Sequence, residues 1–179
     1  NELYVFTKNE LPPILLTAVE ENRVLVLGEI HYVQEHQEYI SILLDKLYAR
    51  GFAILYLESF HAFSWMVEDY VTGDIDYLPD FIRFFDNYWI EKVREFNSGL
   101  NDSSKFIIYL MDLNHWKETF LNSIEEIEKI IGNQPVFDQI KSKRIDSENY
   151  LSSLSQLADT ISNKSELYRS LWGNKWFDR

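Results

Sequence analysis

The sequence predicts an α/β fold: a parallel sheet with crossover helices, followed by a helical C-terminal portion. Three short apolar runs predict the strands, at residues 23–27, 53–57 and 106–111, each with the length and composition of a buried strand. Stretches with apolar residues at helical spacing separate them. Strands that alternate with such stretches imply a parallel sheet with right-handed crossovers.

The elements follow in order. Pro12 and Pro13 stand at a helix start, and Ile14, Leu15, Ala18 and Val19 give that helix an apolar face. Residues 23–27 read as the first buried strand. From 34 to 49, Ile40, Leu43, Leu44 and Leu47 follow i, i+3, i+4, i+7 spacing, and Gly51 stands where a helix ends. Residues 53–57 are the second strand, which ends in Glu58. A helix is expected over about 62–71, stopped near Gly73. Residues 77–97 are rich in aromatic side chains and read as one or two short helices. Residues 106–111 are the third strand, which ends in Asp112. Phe120, Ile124, Ile127 and Ile131 define a long helix closed by Gly132, and Leu151, Leu154, Ala158 and Ile161 define another. Residues 98–104 and 162–165 read as connections. Without an evident linker, 1–179 reads as a single α/β domain, mostly helical over 113–179.

The 179 residues are 46% hydrophobic, enough for a substantial core. The balance of 17 basic against 29 acidic residues gives a net charge of −12. A chain this acidic repels phosphate, so neither nucleic acid nor an anionic membrane surface is an expected partner. The chain has no cysteine, which excludes disulfides, thiolate catalysis and cysteine-ligated metals and is compatible with the cytoplasm. No apolar stretch approaches the ~20 residues of a membrane span, and the first residues lack the pattern of a signal peptide.

The candidate chemistry lies where the strands end. Open α/β sheets bind ligands beyond the carboxyl ends of their strands. Glu29, Glu58 and Asp112 each follow an apolar run, and His31, His61 and His115 come two or three residues after them. Glu29 and His31 share a side if the chain stays extended, and His31 and Glu35 share a face once the helix begins. Carboxylates flanking His31 raise its pKa and fix its tautomer, as a general base requires. The plainer alternatives are that His31 starts the next helix, that Glu29 forms a structural ion pair, and that Glu58 pairs with Arg83 or Arg94. Asp112 also suits a helix N-cap, and His61 and His36 read as structural and solvated positions. Phe81, Phe84, Phe85, Tyr88 and Trp89 read first as core and second as the lining of an apolar pocket. No phosphate loop, nucleophile elbow or HExxH helix is present, so water activation fits better than serine chemistry.

Leu27-Gly28-Glu29-Ile30-His31 with Glu35 resembles the opening motif of erythromycin esterase-like proteins. Leu57-Glu58 with Tyr70-Val71-Thr72-Gly73, and the stretch from Trp89 to Asn97 leading to residues 106–112, resemble the same family in the same order. The Gly-Glu-x-His element also resembles haem-binding lipoproteins of the broader superfamily. The resemblance implies a hydrolase that opens an ester or macrolide lactone. His31 would be the general base, Glu29 and Glu58 would orient and polarise it, and Glu35, Asp112 and His115 would contact substrate. The family usually has two residues between Glu and His, where this chain has only Ile30. The chain is about half the family's length, so the domain is expected to be incomplete at its C-terminus. No cofactor is required on this reading, although a divalent metal on His31, Glu58 and His115 is an alternative. The expected partner is a small ester or another bulky apolar ligand. The alternative function is a binding module for a metal, haem or bulky ligand without turnover, or a domain of a larger chain.

Overall fold

The structure, a computed structural model, describes residues 12–28, 34–112, 117–142 and 150–179. Its described residues form a two-stranded parallel sheet and nine helices, an α/β fold with a helical C-terminal part. Its contacts divide into two compact units: residues 1–59 with 66–111, and residues 60–65 with 112–179.

The first unit begins with α1 (Pro13–Glu21), which has proline at its first turn, where no N–H is needed. Helix α2 (Gln34–Tyr48) follows the expected apolar face: Leu43, Leu44 and Leu47 are buried. Its end is built by Gly51, whose φ of 87° lies in the left-handed region. The Phe52 N–H then bonds back to the Leu47 carbonyl at 3.1 Å, and the chain turns into β1.

Strand β1 (Ile54–Phe60) pairs with β2 (Ile107–Asp112). A bond from Ile107 N to Ala53 O at 2.9 Å opens the register. Side chains alternate between faces with period two. Ile108 and Leu110 of β2 are buried, while Ile54, Tyr56 and Met111 are exposed. The Tyr56 and Tyr109 rings lie 5.8 Å apart, so β1 residues 54, 56 and 58 share a face with β2 residues 107, 109 and 111.

The expected strand at residues 23–27 is not one: 24–28 is irregular and joins no ladder among the described residues. An apolar run becomes a strand only when a neighbour takes up its backbone groups. Here α1 and α2 take up Leu25, which packs with Val19, Leu43 and Leu47, and Val24 and Val26 remain exposed.

Between the strands, one 3-10 turn (His61–Phe63) leads into α3 (Ser64–Thr72), and a second (Asp102–Ser104) precedes β2. The aromatic segment forms one helix, α4 (Arg83–Asn97), beginning after Pro79. Its Trp89, Ile90 and Val93 are buried, so Trp89 belongs to the core.

The second unit holds α5 (Lys117–Ile131), α6 (Pro135–Lys141), α7 (Tyr150–Asn163), α8 (Ser165–Trp172) and α9 (Asn174–Phe177). Its core is Ile124, Phe137, Ile140, Tyr150, Leu157 and Trp172. Trp172 stacks on Phe137 at 5.6 Å and donates its indole N–H to Gln134 Oε1 at 2.8 Å. Periodicity over 120–131 and 151–161 identifies α5 and α7. The short α6, α8 and α9 carry too few turns for a periodic signal. In the same unit, Trp65 Nε1 donates to Ser123 Oγ at 3.0 Å, and Ser123 Oγ donates to the Ala62 carbonyl at 2.7 Å.

Candidate functional site

Strand β1 continues past Glu58 to Phe60, so Glu58 is a strand residue on the exposed face with Ile54 and Tyr56. Asp112 is the last residue of β2, and alternation places it on the same face as the buried Ile108 and Leu110. Both carboxylates therefore occur near the carboxyl ends of parallel strands but on opposite faces. His61 opens the turn directly after β1 and is exposed. Glu35 lies in the first turn of α2, and its side chain is outside the described set. Glu29, His31 and His115 lie outside the described residues. Among the described residues, no three histidine, aspartate or glutamate side chains gather as a metal site.

The face that carries Glu58 also presents the paired Tyr56 and Tyr109 rings and the exposed Met111. This is an aromatic platform with a carboxylate at one end. Arg94, considered as a partner for Glu58, is engaged elsewhere. Its Nη1 donates to the carbonyls of Tyr70 at 2.6 Å and Ile75 at 2.8 Å, and its Nη2 lies 3.1 Å from Asp76 Oδ1.

That arginine belongs to a constellation that sequence reasoning missed. The C-terminal carbonyls of α3 have no intrahelical partners. Arg94 takes Tyr70 O, Asn97 Nδ2 takes Val71 O at 2.8 Å, and Lys105 Nζ takes Thr72 O. Two cationic groups at a helix C-terminus also oppose its dipole favourably. The Arg94 guanidinium stacks over the Tyr70 ring at 4.1 Å, and the Tyr70 hydroxyl donates to the Glu91 carboxylate at 3.0 Å. Asn97 is 2% exposed and also binds the strand entry: it accepts from Phe106 N at 2.7 Å and donates to Phe106 O at 2.8 Å. The available signal was Arg94-x-x-Asn97, two polar residues three apart on the helix face that also carries the buried Ile90 and Val93.

No protein-family profile matches the chain, and neither a curated protein nor a solved structure matches it significantly. No helix of the described residues is long and apolar enough to cross a membrane.

Proposed function

We propose that the chain is an erythromycin esterase-like hydrolase, with His31 activating water against an ester or lactone and with Glu29 and Glu58 orienting the imidazole. The observation that carries this reading is the carboxylate Glu58 near the carboxyl end of a parallel strand, where α/β sheets bind their ligands. A second support comes from the motifs. The stretches 70–73 and 89–97, which resemble the family in sequence, are joined by the Arg94 and Asn97 hydrogen bonds. On this reading Glu35, Asp112 and His115 contact substrate, and the protein works in the cytoplasm without an obligatory cofactor.

The platform of Tyr56 and Tyr109 favours a second reading, capture of a bulky apolar ligand without turnover. One experiment separates the two. Ester and macrolide hydrolysis is measured for wild type and His31→Ala, with and without divalent metal, and folding is checked by circular dichroism. Turnover lost in the folded variant is the expected result. Turnover unchanged in His31→Ala refutes the assigned base. Binding without turnover by the folded wild type replaces the hydrolase with the binding module.

A further inference from the structure

The sheet face that carries Glu58 combines two aromatic rings, a thioether and one carboxylate. The bond from Ile107 N to Ala53 O sets a parallel register in which residue 56 lies opposite 109 and residue 58 opposite 111. Tyr56 and Tyr109 therefore stand side by side, with ring centroids 5.8 Å apart and planes tilted by 30°. Glu58 and Met111 form the next pair on that face, about 7 Å further along the strands. Tyr56 is 59% and Met111 64% exposed, and Glu58 is exposed with them. Among the described residues, Glu58 makes no hydrogen bond or ion pair, and Arg94 is held by Tyr70, Ile75 and Asp76. Parallel sheets ordinarily carry cover on both faces.

These groups discriminate between kinds of ligand. A neutral apolar molecule lying on the rings takes water from the Glu58 carboxylate and returns nothing, which is costly. A divalent metal needs about six oxygen ligands, and one carboxylate does not supply them. An organic ammonium ion meets both halves of the face. Its alkyl groups pack on the rings, its charge is attracted to their negative faces, and the carboxylate neutralises it. The Met111 thioether is polarisable and adapts to the ligand's shape. The net charge of −12 draws cations toward the chain. We propose that Tyr56, Tyr109, Met111 and Glu58 form a binding site for an organic ammonium ion, with the alkylated nitrogen over the tyrosine rings and Glu58 as its counter-ion. This deepens the capture reading of the same face and does not depend on turnover.

The probe is choline, compared with its neutral isostere in which a tert-butyl group replaces the trimethylammonium. Binding to the whole chain is followed by the NMR shifts of the tyrosine ring signals, which Tyr56→Leu and Tyr109→Leu assign. Choline is expected to bind about tenfold more tightly than the isostere. Glu58→Gln and Tyr56→Leu are each expected to weaken choline about threefold or more, and Glu58→Gln to leave the isostere unchanged. If Tyr56→Leu does not fold, the exposed Glu58→Gln and the isostere comparison decide. Equal affinity for choline and the isostere overturns the ammonium site but leaves the capture reading standing. Absence of a saturable shift with either probe overturns both. Choline affinity unchanged in Glu58→Gln refutes the counter-ion and with it the proposal. Choline binding without ester turnover upholds the site and removes only the hydrolase.

Discussion

Asn97 concentrates more structural information than any other polar side chain of the first unit. A buried amide is tolerated only when its groups are satisfied, and Asn97 meets Val71 O, Phe106 O and Phe106 N at 2.7–2.8 Å. Asn97→Ala removes all three bonds and strands a buried N–H, so a loss of about 3 kcal/mol is expected in urea unfolding. Asn97→Asp keeps the acceptor for Phe106 N but points an oxygen at two carbonyls, and it is expected to be no more stable than the alanine variant. An aspartate variant close to wild type would refute this account. In the second unit the informative residue is Lys141, held by Glu128 at 2.9 Å and Asp138 at 3.1 Å. Its hydrogen bond to Glu128 raises its pKa, and burial raises those of Tyr39 and Tyr150. A pKa raised on folding stabilises the protein fully below the unfolded value, and that contribution is lost as pH rises through the folded value. For phenols near 10 and lysine near 10.4 when unfolded, the loss begins at about pH 10. Tm measured from pH 8 to 11 is expected to hold and then fall, and Glu128→Gln is expected to make the fall shallower. A Tm that rises over that range would contradict the sign.

Among elements, α3 shows how a helix end is fixed by residues distant in sequence. Its carbonyls at Tyr70, Val71 and Thr72 are taken by Arg94, Asn97 and Lys105, and Gly73 supplies the left-handed turn at φ 87°. Arg94→Lys keeps the charge, but an ammonium loses the planar stack on Tyr70 and the fork whose Nη1 meets two carbonyls while Nη2 meets Asp76. A cost of about 1–2 kcal/mol is expected in chemical unfolding, and a cost near zero would mean that charge alone matters. This clamp also marks the limit of sequence reading. Helix α2, strands β1 and β2, and helices α5 and α7 were legible because each repeats its apolar spacing over several turns or residues. The strand at 23–27 was not, because pairing depends on a neighbour that the run itself does not specify. Arg94 was not, because its Nη1 is held by two backbone carbonyls, which every residue carries. Of the candidate site, the positions of Glu58 in β1 and Asp112 at the end of β2 were nearly as expected. Their opposite faces were not, since face depends on where each strand begins to alternate, and a shift of one residue reverses it.

At the scale of the molecule, charge is the dominant unbalanced term. With 17 basic and 29 acidic residues, the chain carries −12, and a net charge this far from zero destabilises the compact state through self-repulsion. Opposing it are exposed pairs such as Lys92–Glu95 at 2.7 Å and Arg169–Asp178 at 2.7 Å. Exposed pairs of this kind contribute little to stability. Salt weakens both terms, but not equally. The ion pairs act over a few ångströms, whereas the repulsion sums over distances beyond the Debye length of about 10 Å at 0.1 M. Screening therefore removes more repulsion than attraction. Tm is expected to rise by a few degrees as sodium chloride increases from 0.01 to about 0.3 M. Replacing exposed acids, as in Glu125→Lys with Asp159→Lys, reduces the net charge by four and is expected to flatten that rise. A Tm that falls with added salt would show that the ion pairs outweigh the net charge and would reverse the ranking argued above.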